Sequence, residues 1–443
     1  MISKYFRLMW PVALLSVTAA FSGDTAAVNY MPVLSGYASF EAGEVMKGYS
    51  NAAGAVGPLD HAWLETGYMG LCADAKVSDN LRILAAGEGQ LQISFRREEE
   101  GQNDEYISLR FPQTIFTIKR GEALYTIGSA DHPLFQVEAG FFPYKYNPDV
   151  NDLGEYLFRT YCYPAAIINE FDHPYADLVG FRVGNSLAAG PGYFHHDLLL
   201  TTETEFYPYE DWSLSYLADY SIPRFFSFGA GAQLFDVFSV GADNSTLQIG
   251  SDPTTPDSAY FQGKAYTFAG TKLMARFSFD VKGLIPVDAP LAALFGREDL
   301  KLYGEAAILG LKNYHDPDTA NHDGYDSLLW RLPMMVGINV PAFKVLDVLS
   351  FELEYQDSPY PNSITNVLYD MSPVPVSMQP HAKFKWSLYA KKTLASHVSI
   401  IGQVANDHLM PYSLPLGNDF TDLTDVTFNP GDWWWTLKMR FDF

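Results

Sequence analysis

Residues 433–443 of this 443-residue chain read WWWTLKMRFDF, and alternate positions carry opposite chemistry. Trp433, Trp435, Leu437, Met439, Phe441 and Phe443 are apolar, while Thr436, Lys438, Arg440 and Asp442 between them are polar. A period of two is the repeat of a β-strand, whose successive side chains point to opposite faces. Such a strand needs an apolar surrounding on one side and a polar one on the other. A sheet with one wet face meets that need as well, so one strand decides little.

The same period recurs along the whole chain. In LRILAAGEGQLQISFR, Leu81, Ile83, Ala85, Leu91, Ile93 and Phe95 face away from Arg82, Glu88, Gln90, Gln92, Ser94 and Arg96. HAKFKWSLYAKK sets Phe384, Trp386 and Leu388 against Lys383, Lys385 and Lys391, and VLSFELEY sets Phe351 and Leu353 against Glu352 and Glu354. YTFAGTKLMARFSFD carries Lys272, Arg276 and Asp280 on its polar side. Full charges of both signs on strand after strand suit a wet lumen, and Trp, Phe and Leu on the opposite faces suit lipid. Closure of the sheet removes the edges that so many ladders would otherwise expose. The fold class read from this is an all-β, transmembrane antiparallel up-and-down β-barrel.

Strands are predicted near 33–42, 62–76, 81–96, 113–129, 134–143, 177–187, 193–206 and 212–221, then near 225–240, 262–281, 299–312, 327–340, 348–358, 381–393, 397–409 and 433–443. That is about 16 strands, within a range of 14–18, and an even number is expected of a single-chain bacterial barrel. Connections alternate in length. VSDN, SADHP, AAGPG, SIPR and ASH are short, whereas 43–61, 144–176, 241–261, 313–326, 359–380 and 410–432 are long. Short periplasmic turns and long extracellular loops are the known asymmetry. The stretch 282–298 is long on the short side and is expected to hold a small helix.

Composition closes other routes. MISKYFRLMWPVALLSVTAAFSG places Lys4 and Arg7 before an apolar run from Leu8 to Phe21, the layout of a secretory signal peptide over residues 1–22, with the barrel over 28–443. No later apolar run of about eighteen residues offers a helical span. Net charge is −23, which argues against nucleic acid as a partner. Two cysteines exclude a disulfide scaffold, and aromatics at 15% with 34 glycines suit bent strands. No N-terminal plug and no soluble domain after Phe443 are expected, and no cofactor is implied.

A last strand of alternating hydrophobics ending in phenylalanine resembles the signal by which outer-membrane proteins of Gram-negative bacteria are recognised by their assembly machinery; Phe443, Phe441 and Met439 match it. Together with the signal peptide, the chain resembles porin-like outer-membrane barrels over its whole mature length. The resemblance implies the outer membrane as location, its lipid and the barrel-assembly machinery as partners, and a homotrimer as an option. The longest loop, 144–176, resembles in position and length the inward-folding third loop of general porins.

That loop supplies candidate pore-narrowing groups in Asp149, Asp152, Glu155, Arg159 and Tyr161. Arg82, Arg182, Lys272, Arg276, Lys383, Lys385 and Arg440 are the wall residues expected to face it, setting up a transverse field that would select polar solutes. Acidic stretches at 97–105 and 315–326 would gather cations at the mouth. Asp316, Asp318, Asn321 and Asp323 look like a calcium loop, but the spacing departs from that pattern and polar turn residues account for them. Cys72 and Cys162 could pair and pin the loop. His195, Asp197 and Glu203 form the densest titratable cluster, yet no G-x-S-x-G or H-E-x-x-H is present and an enzyme is not expected. The expected function is passive diffusion of small hydrophilic solutes, cation-leaning and narrowed by 144–176. The alternatives are a closed structural or adhesive barrel and, behind it, a barrel enzyme.

Overall fold

The computed structural model describes residues 32–50, 57–58, 60–96, 113–129, 132–162, 166–167, 176–202, 210–238, 269–286, 289–311, 328–358, 383–409, 426–427 and 429–443. The expected signal peptide, the acidic stretches 97–105 and 315–326, and Glu203 lie outside them, as do the side chains of Tyr161 and Cys162.

Sixteen strands form one closed antiparallel barrel. In chain order they are β1 (Val33–Lys47), β2 (Ala62–Lys76), β3 (Leu81–Arg96), β4 (Gln113–Ser129), β5 (His132–Tyr144), β6 (Ala176–Ala189), β7 (Gly192–Thr202) and β8 (Trp212–Ile222). They continue as β9 (Phe226–Phe238), β10 (Gly270–Asp280), β11 (Lys301–Ile308), β12 (Met334–Asn339), β13 (Val348–Tyr355), β14 (Phe384–Ala395), β15 (Val398–Ala405) and β16 (Trp433–Asp442). Each pairs with its neighbours in sequence, and β16 pairs with β1 to close the ring. β2, β3 and β4 have the predicted bounds and β11 stops at Ile308 rather than 312, whereas the predicted start of β10 at 262 lies outside the described residues.

The alternation sorts side chains by solvent in the inverse of a soluble sheet. Phe116, Leu134, Phe181, Phe351 and Leu437 stand exposed on the outside, while Glu88, Glu138, Asp197, Glu305 and Glu352 are buried within. Buried charge is stable only where it is paired and hydrogen-bonded; the lumen provides this with pairs such as Arg182–Glu138 at 3.0 Å and Lys438–Glu41 at 3.2 Å. No helix among the described residues is long and apolar enough to cross a membrane.

Closure continues past β16. Phe443 N–H donates to Gly36 O and Gly36 N–H to Phe443 O, both at 2.8 Å. At the opposite end of the seam, Val45, Ala62, Leu64, Ala405, Leu409 and Trp434 form a small apolar cluster inside the barrel. Beyond it, Tyr49–Ser50, Gly57–Pro58 and Val426–Thr427 make a three-stranded patch joining the loops beside β1 and β16.

On the short-turn end, the long connection between β10 and β11 contains two 3-10 helices, Val281–Leu284 and Pro290–Leu294, in place of one expected helix. Asp299 fastens it: its carboxylate accepts from Gly296 N–H at 2.7 Å and from Ala342 and Phe343 N–H at 3.2 Å. Phe295 stacks on Phe343 at 5.9 Å, and Lys344 Nζ donates to Ala293 O at 2.6 Å.

Candidate functional site: a loop docked in the lumen

After β5 the chain does not run outward but turns into the barrel. Residues 145–159 lie against the inner wall of β10–β13, where Val150, Leu153, Tyr156 and Leu157 pack with Tyr303, Ala307, Met335 and Met274 in one apolar cluster. These loop side chains have almost no exposed surface, so the loop is bound to the wall.

Two wall carboxylates make most of the polar attachment. Glu305 on β11 accepts from Glu155 N–H at 3.1 Å, Tyr156 N–H at 3.0 Å, Asn147 Nδ2 at 3.0 Å and the Tyr146 hydroxyl at 2.5 Å. Glu352 on β13 accepts from the N–H groups of Asn151 at 2.7 Å, Asp152 at 3.0 Å and Leu153 at 2.8 Å, and from the Tyr303 hydroxyl at 2.8 Å. Gly154 and Glu155 both have positive φ, +97° and +61°, which turns successive N–H groups toward one point. That concave arrangement is a nest for an anion, and here the anion is a side chain of the protein's own wall. A Cβ on Gly154 would come within 3.2 Å of Glu305 Oε2, so the carboxylate approaches the backbone there. Tyr156 extends the contact to Glu354 at 3.1 Å, and Asp149 pairs with Lys301 at 2.9 Å.

The pore-narrowing groups expected on the loop are placed differently. Asp152, Glu155 and Arg159 are buried at 2%, 0% and 4% exposure and face the loop's own backbone or the wall. Arg159 Nη1 donates to Asp152 O at 2.8 Å, and Glu155 accepts from Tyr146 N–H at 3.2 Å and from Asn147 N–H. The reason is economy of polar groups: a loop inside a barrel must satisfy its backbone locally, and its charged side chains serve that. Among the expected wall bases, Lys272 reaches the loop, donating to Leu157 O at 3.3 Å, and Lys385 reaches it through Glu354 at 3.6 Å. Arg182 and Arg276 lie beside a cavity below the loop. Arg82, paired with Asp74, Lys383, paired with Asp357, and Arg440, stacked on Tyr37 at 3.9 Å, stand away from it. Cys72 is a free, half-buried thiol on β2. His195 bonds Asp197 at 3.1 Å inside, while His196 stacks on Phe194 outside, as alternation requires.

Burial and the neighbouring Glu305 carboxylate push the Glu155 carboxyl up to about 8, and burial pushes Asp152 up to about 6 against the pull of His408. The docked loop therefore holds protons that an undocked loop, with ordinary carboxyls, would release. Docking is fully supported below about pH 4 and weakens as pH rises through the docked values toward 8. Open-channel conductance is expected to rise between pH 5 and pH 8.5, and Glu155→Gln to flatten that profile. A conductance that falls over this range would contradict the assignment.

A closed, even-numbered antiparallel barrel, apolar outside and charged inside, with one of its own loops docked on the inner wall, has the architecture of a porin-like transmembrane β-barrel. Two solved structures illustrate the likeness. OmpF of Salmonella typhi, in complex with daunomycin, is 10% identical, with 95% of this chain and all of that one covered at a TM-score of 0.46. A triple mutant of the Rhodopseudomonas blastica porin is also 10% identical, with 93% and 100% covered at a TM-score of 0.41. No protein-family model matches the chain, and no curated protein matches it.

Proposed function

We propose that the protein is a passive diffusion channel for small hydrophilic solutes, with its lumen narrowed by the docked segment 145–159. The observation that carries this reading is the one-sidedness of the docking. The loop covers β10–β13, while the opposite wall keeps partly exposed charged groups such as Lys119, Arg120 and Arg440, which need water beside them. A sixteen-stranded barrel is wide enough to leave such a passage. The net charge of −23, carried by many loop carboxylates, supports a lead for cations at low ionic strength, screened away as salt rises. Export by residues 1–22, recognition of Phe443, Phe441 and Met439 by the assembly machinery, and a homotrimer formed through part of the apolar outer wall belong to the same reading.

The test is single-channel recording of the purified protein in a planar bilayer under a salt gradient. Steady conductance steps with a reversal potential on the cation side are expected. Silence at all voltages would sink the channel reading and favour a closed structural barrel.

A further inference from the structure

Between the docked loop and the fastened β10–β11 connection lies a cavity of about 1010 Å³. Pro143, Tyr144 and Tyr146 bound it on the loop side, and Ile285, Phe295 and Arg297 on the short-turn side. The volume is at the upper end of the range that holds small ligands. Its floor is a built one, since Asp299, Phe295 and Lys344 tie the connection to the neighbouring turn.

One wall of this chamber carries an unusual pair. In the strand register Asp219 of β8 lies opposite Gly229 of β9, which lies opposite Arg276 of β10. The middle strand thus presents no side chain, and the arginine lies across it: a Cβ on Gly229 would meet Arg276 Nε at 2.9 Å. Arg276 is only 6% exposed, yet its contacts are long, 3.5 Å to Asp219 and 3.3 Å to Ser227 Oγ. A charge-assisted bond is ordinarily about 2.7–2.9 Å. Arg182, on the same wall, reaches Asp197 at 2.9 Å and Glu138 at 3.0 Å, so it is tightly satisfied and Arg276 is not.

We propose that the chamber binds a small zwitterion of the amino-acid or dipeptide class, its carboxylate on Arg276 and its ammonium on Asp219. This rests on the diffusion-channel reading and names the solute that dwells in the channel. A guanidinium offers a planar fork of donors for a carboxylate, and the loosely held carboxylate beside it offers acceptors for an ammonium. Phe225, Phe226 and Phe295 supply apolar surface for a side chain. The strongly negative chain repels plain anions at long range, whereas a zwitterion meets no such barrier.

The test is blockade of single-channel current by four probes: alanyl-alanine, succinate, putrescine and sucrose. Alanyl-alanine is expected to interrupt the current at the lowest concentration. Arg276→Gln and Asp219→Asn should each raise its half-blocking concentration about tenfold or more, the loss of one charge-assisted pair. Gly229→Ala, which displaces Arg276 while keeping both charges, should do the same. Equal blockade by all four probes, or blockade by the dipeptide untouched by these substitutions, would overturn the proposal while leaving the channel reading intact. Should the protein conduct nothing, calorimetric titration of the detergent-solubilised protein with the same probes reads the site independently of the channel.

Discussion

Glu352→Ala is expected to release the loop from the wall and raise single-channel conductance. The substitution removes the acceptor shared by three consecutive backbone N–H groups, those of Asn151, Asp152 and Leu153, and by the Tyr303 hydroxyl. At about 1 kcal/mol for each buried N–H left without a partner, docking loses about 3 kcal/mol, which moves the docked-to-undocked ratio by roughly a hundredfold. Glu352→Gln keeps one acceptor oxygen and should have a smaller effect. Glu305→Ala attacks the second attachment, and because both carboxylates hold the same segment, the double variant should fall short of the sum of the two. Larger and noisier current steps from Glu352→Ala, with barrel content by circular dichroism unchanged, are the expected result. An unchanged conductance would mean that the apolar cluster alone holds the loop.

Deletion of Phe443 is expected to impair closure of the barrel even when no assembly machinery is present. Its N–H and C=O both bond Gly36, and its ring lies over that residue. Deletion removes two backbone bonds, about 2 kcal/mol together, from the β1–β16 seam. Chain refolded from urea into lipid vesicles should reach the trypsin-resistant barrel in lower yield. Phe443→Ala retains both backbone bonds and should refold nearly as the parent does. If Phe443→Ala refolds well but fails to accumulate in the outer membrane of cells, the ring acts in recognition rather than in the ladder. Equal refolding of the deletion and the parent would remove any role for the residue in closure.

The fold was legible because a membrane barrel writes its two solvents into every strand. The alternation of Phe351 and Leu353 with Glu352 and Glu354 needs no tertiary information to be read. Strand ends were harder: β11 stops at Ile308, four residues short of the predicted end, since alternation can continue after pairing stops. The site was legible only in outline. The segment after Tyr144 does enter the lumen, but among its described acids Asp152 and Glu155 are buried and Asp149 is paired with Lys301. Nothing in the sequence marked Glu305 and Glu352, because most of their partners are backbone N–H groups, and a backbone N–H has no sequence signature. The chamber floor depends on Asp299 meeting Ala342 and Phe343, more than forty positions away, which no local pattern encodes.

The way Glu305 and Glu352 hold the loop bears on how this channel can diverge. Five of the nine donors they accept are main-chain N–H groups, which any residue but proline supplies. Anchoring is thereby largely uncoupled from side-chain identity. Loop positions whose side chains lie outside the apolar cluster can drift between lineages and retune what passes, while two glutamates on the barrel keep the segment in place.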